Sequence, residues 1–140
     1  MSENAIIFKN FLESTGINGR FIVLSDGDTG CEIIDKLKCG LLVRIFIIFD
    51  QEEQFVSLRI LEYIKLNDDT DLYEIYKILN DLNYMYRTIK FCLNKDNGIE
   101  IECNETFKNN YDPFITYGSL RSISNAANEE YNKIMKAVLT

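Results

Sequence analysis

One stretch of this chain changes its hydrophobic period in mid-course, and that change narrows the possible folds more than any other feature. Leu72, Ile75, Ile78, Leu79, Leu82, Met85 and Tyr86 recur with the helical period, behind Asp71 at an N-cap position and Glu74 three residues later, the spacing of a capping box. From Ile89 the period becomes two. Ile89, Phe91 and Leu93 alternate with Lys90, Cys92 and Asn94, the chain turns at Asp96-Asn97-Gly98, and Ile99, Ile101 and Cys103 alternate back against Glu100 and Glu102. A helix leading directly into an antiparallel hairpin follows. A two-residue Asn-Gly turn would set Leu93 opposite Glu102 and split the apolar residues between two faces. A three-residue loop with Gly98 left-handed sets Leu93 opposite Ile101 and Phe91 opposite Cys103 and keeps one apolar face, with Cys92 and Cys103 on different sides, so the sequence predicts the longer loop.

The rest of the chain is ordered around this unit. Ala5, Phe8 and Leu12 line one face of a first helix, which should stop at Gly16 with Leu12 and Ile17 at the touching positions of a Schellman end. Strands are predicted at Phe21 to Ser25, Cys31 to Lys38, Leu41 to Phe49 and Gln54 to Leu66, joined by Asp26-Gly27-Asp28-Thr29-Gly30, Lys38-Cys39-Gly40 and Asp50-Gln51-Glu52-Glu53. An antiparallel meander results. After the hairpin comes a polar connection, Lys108 to Pro113, and a last helix with Leu120, Ile123, Ala127, Tyr131, Ile134 and Val138 on one face. The predicted fold class is α+β, one domain over residues 1–140: an antiparallel sheet made of the meander plus the hairpin, an N-terminal helix, a central helix between meander and hairpin, and a C-terminal helix.

The faces of the strands differ. In the strand Gln54 to Leu66 the even positions Val56, Leu58, Ile60, Ile64 and Leu66 are apolar, and the odd face mixes Ser57, Arg59 and Lys65 with Phe55, Leu61 and Tyr63. Ile75, Leu79 and Leu82 of the central helix should pack on Val56, Leu58, Ile60, Phe91 and Ile101. The strand Leu41 to Phe49 is apolar on both faces and requires two covers, the second being another part of the chain or a second subunit. Phe46, Ile48, Leu61 and Tyr63 are therefore candidate interface residues. A second candidate surface is the flank of the central helix, where Tyr73, Tyr76 and Tyr84 stand among Lys77, Asn80 and Asn83, a composition that suits either a partly wet contact surface or the margin of the core.

Several function classes lose support on composition. The chain has no histidine, so the usual base near neutral pH, the Ser-His and Cys-His pairs and the commonest catalytic metal ligand are missing, and no catalytic, cofactor or metal residues are assigned. Its 22 acidic residues outnumber 15 basic ones, for a net charge of −7 without a basic patch, which disfavours nucleic acid. Cys31, Cys39, Cys92 and Cys103 form no C-x-x-C pair and read as free thiols. Asp26-Gly27-Asp28 resembles the start of a calcium loop, but the twelfth position is Leu37 where a Glu is required. The start Met1-Ser2-Glu3-Asn4 has no signal-peptide character and the apolar run Leu41 to Phe49 is too short to span a bilayer, which predicts a soluble cytoplasmic protein without membrane association.

Leu79-Asn80-Asp81-Leu82-Asn83, followed by Ile89-Lys90-Phe91-Cys92-Leu93 and Gly98-Ile99-Glu100-Ile101-Glu102, in the order helix, antiparallel strands, helix, hairpin, helix, resembles the YbjN-like proteins and the type III secretion chaperone-like fold they share. The resemblance covers roughly Phe21 to Phe107. It implies a small bacterial α+β protein without catalytic residues that works by binding another protein, in a chaperone-like or regulatory role, and that pairs into a homodimer. A strand near Phe21 is extra to the chaperone pattern. Two other classes remain: an acidic inhibitor or immunity-type protein that meets a basic partner through its carboxylates, and, as the lesser alternative, a histidine-free enzyme with convergent carboxylate, Lys or Tyr groups in a deep pocket.

Overall fold

The computed structural model describes residues 1–107 and 110–139. Along the chain these form α1 (Glu3–Thr15), β1 (Arg20–Val23), β2 (Thr29–Lys36), β3 (Leu42–Phe49), β4 (Phe55–Lys65), α2 (Leu72–Met85), β5 (Ile89–Leu93), β6 (Gly98–Thr106) and α3 (Pro113–Val138). The strands make one antiparallel sheet in the order β1-β2-β3-β4-β6-β5. The fold class is α+β as expected, with each helix in its expected place along the chain. Of the predicted polar connection, Lys108 and Asn109 lie outside the described residues.

Helix ends are set by local chemistry. Ser2 caps α1 by accepting from Ala5 N at 3.1 Å, and the Glu53 carboxylate, from the turn between β3 and β4, accepts from Glu3 N and Asn4 N at 2.9 and 3.1 Å. Those bonds place negative charge at the positive end of the helix dipole. Gly16 ends α1 in the left-handed conformation that a residue without Cβ adopts at no steric cost. Asp71 caps α2 through Tyr73 N at 3.0 Å; among the described residues Glu74 makes no reciprocal bond, so the cap is a single one and not a box.

All three helices lie on one side of the sheet. Ring contacts join Phe8 of α1 to Phe49 of β3, Tyr86 at the end of α2 to Phe91 of β5, and Tyr131 of α3 to Tyr63 of β4, with centroids 5.5 to 6.0 Å apart. The long helix α3 crosses β4 and β6 and touches α1 and α2, while α2 packs against β5 and α3. Ile75, Leu79 and Leu82 are buried as expected and share one core with Val56, Leu58, Ile60, Phe91 and Ile101, but the helix that lies directly over β4 is α3. A polar network pins its first turns: Glu105 of β6 accepts from Thr116 Oγ1 at 2.8 Å and Ser119 Oγ at 2.5 Å, and the Tyr111 hydroxyl donates to Thr116 Oγ1 at 2.7 Å.

The hairpin keeps one apolar face through a three-residue loop, yet the loop is Lys95-Asp96-Asn97 and not Asp96-Asn97-Gly98. Leu93 pairs with Ile99, Phe91 with Ile101 and Ile89 with Cys103, two residues away from the expected register. Asn97, with φ of 57°, takes the left-handed position expected of Gly98. Asparagine tolerates that region, and Asn94 secures the alternative by accepting from Asp96 N and Gly98 N through one side-chain oxygen at 2.9 and 2.8 Å. A shift of two residues preserves face parity, which is why the apolar face survives it.

The second departure is in β4. Pairing with β6 shifts between Ile60, opposite Ile101, and Ile64, opposite Ile99, and Glu62 within the shift has φ of 56°. Such a bulge re-aims a side chain within it, while Ile64 and Leu66 beyond it remain on the inner face. Strict alternation puts Tyr63 beside Leu61 on the outer face; here it turns inward, is 2% exposed, and donates its hydroxyl to the Ala127 carbonyl of α3 at 2.6 Å.

Candidate functional site

With every described helix on the inner side, none crosses the outer face of the sheet. Ile22, Ile34, Leu42 and Phe55 are exposed there, Leu42 by 64%, and Phe46, Ile48 and Leu61 are half-buried. Phe46 owes its partial burial to Gly30 on the neighbouring strand: a Cβ built at Gly30 would stand 2.7 Å from Phe46 Cζ, so the ring occupies the space that the absent side chain leaves. Strand register sets Arg20, Glu32, Phe46, Arg59, Glu102 and Lys90 in one row across the sheet, with opposite charges alternating on either side of the phenyl ring. Ion pairs within the face link Arg20 and Arg44 to Glu32, at 3.5 and 3.3 Å, and Arg59 to Glu102 at 3.8 Å. These pairs are solvated and contribute little to stability.

Of the residues expected at an interface, Phe46, Ile48 and Leu61 thus share the uncovered face, and Tyr63 does not, because the bulge carries it into the core. Tyr73 and Tyr84 on α2 are 69% and 92% exposed and Tyr76 is exposed as well, so this flank is surface and not core margin. Asn83 has a different task. Its amide donates to the Phe91 carbonyl at 3.1 Å and accepts from Phe91 N at 2.7 Å, covering the outer backbone edge of β5. Helical spacing places Asn83 at the flank of α2, and only the fold brings a strand edge against it.

A cleft of about 760 Å³ opens on the inner side between the α1 to β1 connection, β2 and α3, with Ile17, Ile33, Ile45 and Leu120 among its apolar lining and Asp35, Tyr117, Arg121, Ser124 and Asn125 among its polar lining. Ser124 Oγ donates to Asp35 Oδ2, and Arg121 is engaged with Tyr117, its guanidinium 5.9 Å from the ring centroid. No motif marked this cleft in the sequence, because its residues come from four separate segments.

The acidic groups that look like metal ligands are tied to backbone. Asp26 Oδ1 accepts from Asp28 N and Asp28 Oδ1 from Gln51 N, both at 3.0 Å. Among the described residues no group of three His, Cys, Asp or Glu could hold a metal ion. None of the described helices is long and apolar enough to cross a membrane.

All four cysteines are free, Cys31 and Cys103 buried, Cys39 and Cys92 exposed. Burial, and after it the charge of Glu32, pushes the Cys31 thiol from 9.0 up to about 12. Partial burial, with Glu102 and Glu100 alongside, also raises Cys92. Titration of the native protein with an aromatic disulfide should therefore give two reactive thiols, with Cys31 and Cys103 released only by denaturant; four fast thiols would contradict this core. A thiol that holds its proton longer in the folded chain than in the unfolded one lowers stability as pH rises. The contribution of Cys31 is complete below pH 9.0 and is lost as pH rises toward about 12. Denaturant midpoints should accordingly fall between about pH 8 and about pH 10.5, and less so in Cys31→Ala, whereas an identical fall in the variant would assign the loss to other groups.

No protein-family model, curated protein or solved structure matches this chain.

Proposed function

We propose that this chain is a non-enzymatic, cytoplasmic protein-binding module that acts as a homodimer joined through the outer face of its sheet. The observation that carries the reading is the one-sided sheet: three helices on the inner face, and an outer face that leaves Ile22, Ile34, Leu42 and Phe55 in water beside Phe46, Ile48 and Leu61. Apolar surface gathered in one patch marks a contact site more often than scattered residues do. The charged row supplies the complementarity. A twofold axis through Phe46 and parallel to the strands would set Glu32 against Arg59 of the partner subunit and Arg20 against Glu102 of the partner subunit, each contact occurring twice. The resemblance to YbjN-like and secretion chaperone-like proteins points the same way, toward a bacterial protein that binds another protein in a chaperone-like or regulatory role.

Light scattering at about 100 µM should give twice the 16.3 kDa protomer mass. Phe46→Lys should yield a folded monomer. Arg59→Glu should weaken the dimer, and the double swap Glu32→Arg with Arg59→Glu should restore it. A wild-type monomer sinks the proposal, and a dimer lost on Tyr73→Ala with Tyr76→Ala and Tyr84→Ala, but kept in Phe46→Lys, moves the interface to α2.

A further inference from the structure

The two edges of the sheet are treated differently. At β5 the outward backbone groups of Phe91 are both taken by Asn83. At the other edge β1 is short, pairing Arg20 to Val23 with Glu32 to Thr29 and leaving the second half of β2, paired to β3 on one side, without a described strand on the other. The bonding phase identifies which groups are open. Leu24 N donates to Asp28 O in the same register as the pairs Ile22 with Gly30 and Arg20 with Glu32, so even-numbered residues of β2 direct N–H and C=O toward β1. Odd-numbered ones face β3, in phase with the bond from Leu37 N to Leu41 O. Ile34 and Lys36 therefore present their backbone groups at the free edge. The Lys36 N–H is taken by Asp35 Oδ1 at 2.9 Å, while Ile34 has neither group bonded to a described residue and is 52% exposed.

No described segment covers this edge. Continuing β1 backwards would bring Asn18 opposite Ile34, but at Gly19 the backbone dives inward, so close to Cys31 that an added Cβ would stand 2.8 Å from its sulfur. What remains between the Gly16 to Arg20 segment and the open edge is the cleft described above.

We propose that this edge and cleft accept an extended peptide as an added antiparallel strand in line with β1, independently of the dimer interface. Strand addition draws affinity from main-chain bonds and specificity from alternate side chains. The peptide residue opposite Ile34 exchanges two backbone bonds with it and points outward. Its neighbours opposite Asp35 and Ile33 point into the cleft. The first meets the Asp35 carboxylate, which a Lys or Arg complements as a cross-strand pair, and the second lies over the apolar floor of Ile33, Ile45 and Leu120. The partner is therefore an extended segment reading, from its N-terminus, basic, β-branched, large apolar.

The probe is the acetylated and amidated peptide Ser-Thr-Lys-Val-Leu-Thr-Ser, titrated into isotope-labelled full-length protein. Expected are saturable shifts of the Ile34 amide with slowed hydrogen exchange there, binding weakened at least about tenfold when the valine is N-methylated, and about fivefold when Glu replaces the peptide lysine. Asn125→Trp, at the exposed rim of the cleft, should block binding without unfolding the protein, and Asp35→Asn should abolish the preference for lysine over glutamate. No shift at Ile34 with about 1 mM peptide, or binding indifferent to N-methylation, would overturn the proposal. So would an Ile34 amide already protected in a concentration-dependent way in free Phe46→Lys protein, whose outer face no longer pairs, since a second copy of this chain would then hold the edge itself. Because Ile34 also borders the outer face, each titration is repeated in Phe46→Lys, so that loss of the dimer and loss of peptide binding are read separately.

Discussion

Tyr63→Ala is expected to destabilise the protein by about 3 to 5 kcal/mol, the range for removing a large buried aromatic side chain, while Leu61→Ala costs about 1 kcal/mol or less in the protomer. Two residues apart on one strand, they would be equivalent if alternation ran unbroken. Glu62 separates them: its left-handed conformation sends Tyr63 to the inner side, where it meets the Tyr131 ring and the Ala127 carbonyl, and leaves Leu61 half-buried on the outer side. Tyr63→Phe keeps the ring and removes only the hydroxyl, so it should cost about 1 kcal/mol. Urea unfolding of the three variants decides the matter, and equal losses for Leu61→Ala and Tyr63→Ala would mean that β4 has no bulge.

Leu82→Ala should cost about 2 to 5 kcal/mol, against roughly 0.5 kcal/mol or less for Tyr73→Ala. Leu82 is fully buried, on the same helix face as Ile75 and Leu79, where α2 meets β5 and α3. Its truncation leaves a cavity that a helix held from two directions cannot readily collapse around. Tyr73 makes its contribution through its backbone N–H, which the Asp71 cap receives whatever the side chain. Guanidinium or urea midpoints at unchanged m-value would measure the difference. A larger loss at Tyr73 would require α2 to be rotated about its axis from the position described.

β4 and α2 also differ in how far their consecutive residues determine them. The stripe of Ile75, Leu79 and Leu82, the alternation in β3, β5 and β6, and the stop at Gly16 are properties of consecutive residues, and each was legible because side-chain direction in a regular element follows from its period alone. The bulge at Glu62 was not legible. A glutamate carries no left-handed signature, and the conformation is held by what Tyr63 gains against Ala127 and Tyr131 of α3, more than 60 positions further along the chain. The hairpin lies between these cases: its parity was readable from the apolar pattern, but its register depended on Asn94 and Asn97 making a better turn together than Gly98 alone.

The candidate surfaces divide on the same line. From its own residues the chain determined an α+β domain with an antiparallel meander, a hairpin and three helices, and required that β3 be covered twice, since two apolar faces on one strand cannot both meet water without cost. Which face the helices would take, and which would stay open, was decided only when α3 settled across β4 and β6 on the side of α1 and α2. The cleft and the free edge at Ile34 were likewise decided in three dimensions, because they depend on where β1 ends against β2 and where Gly19 passes Cys31. Local periodicity specifies which side of an element is apolar; only the packing of distant segments specifies what, if anything, lies against it.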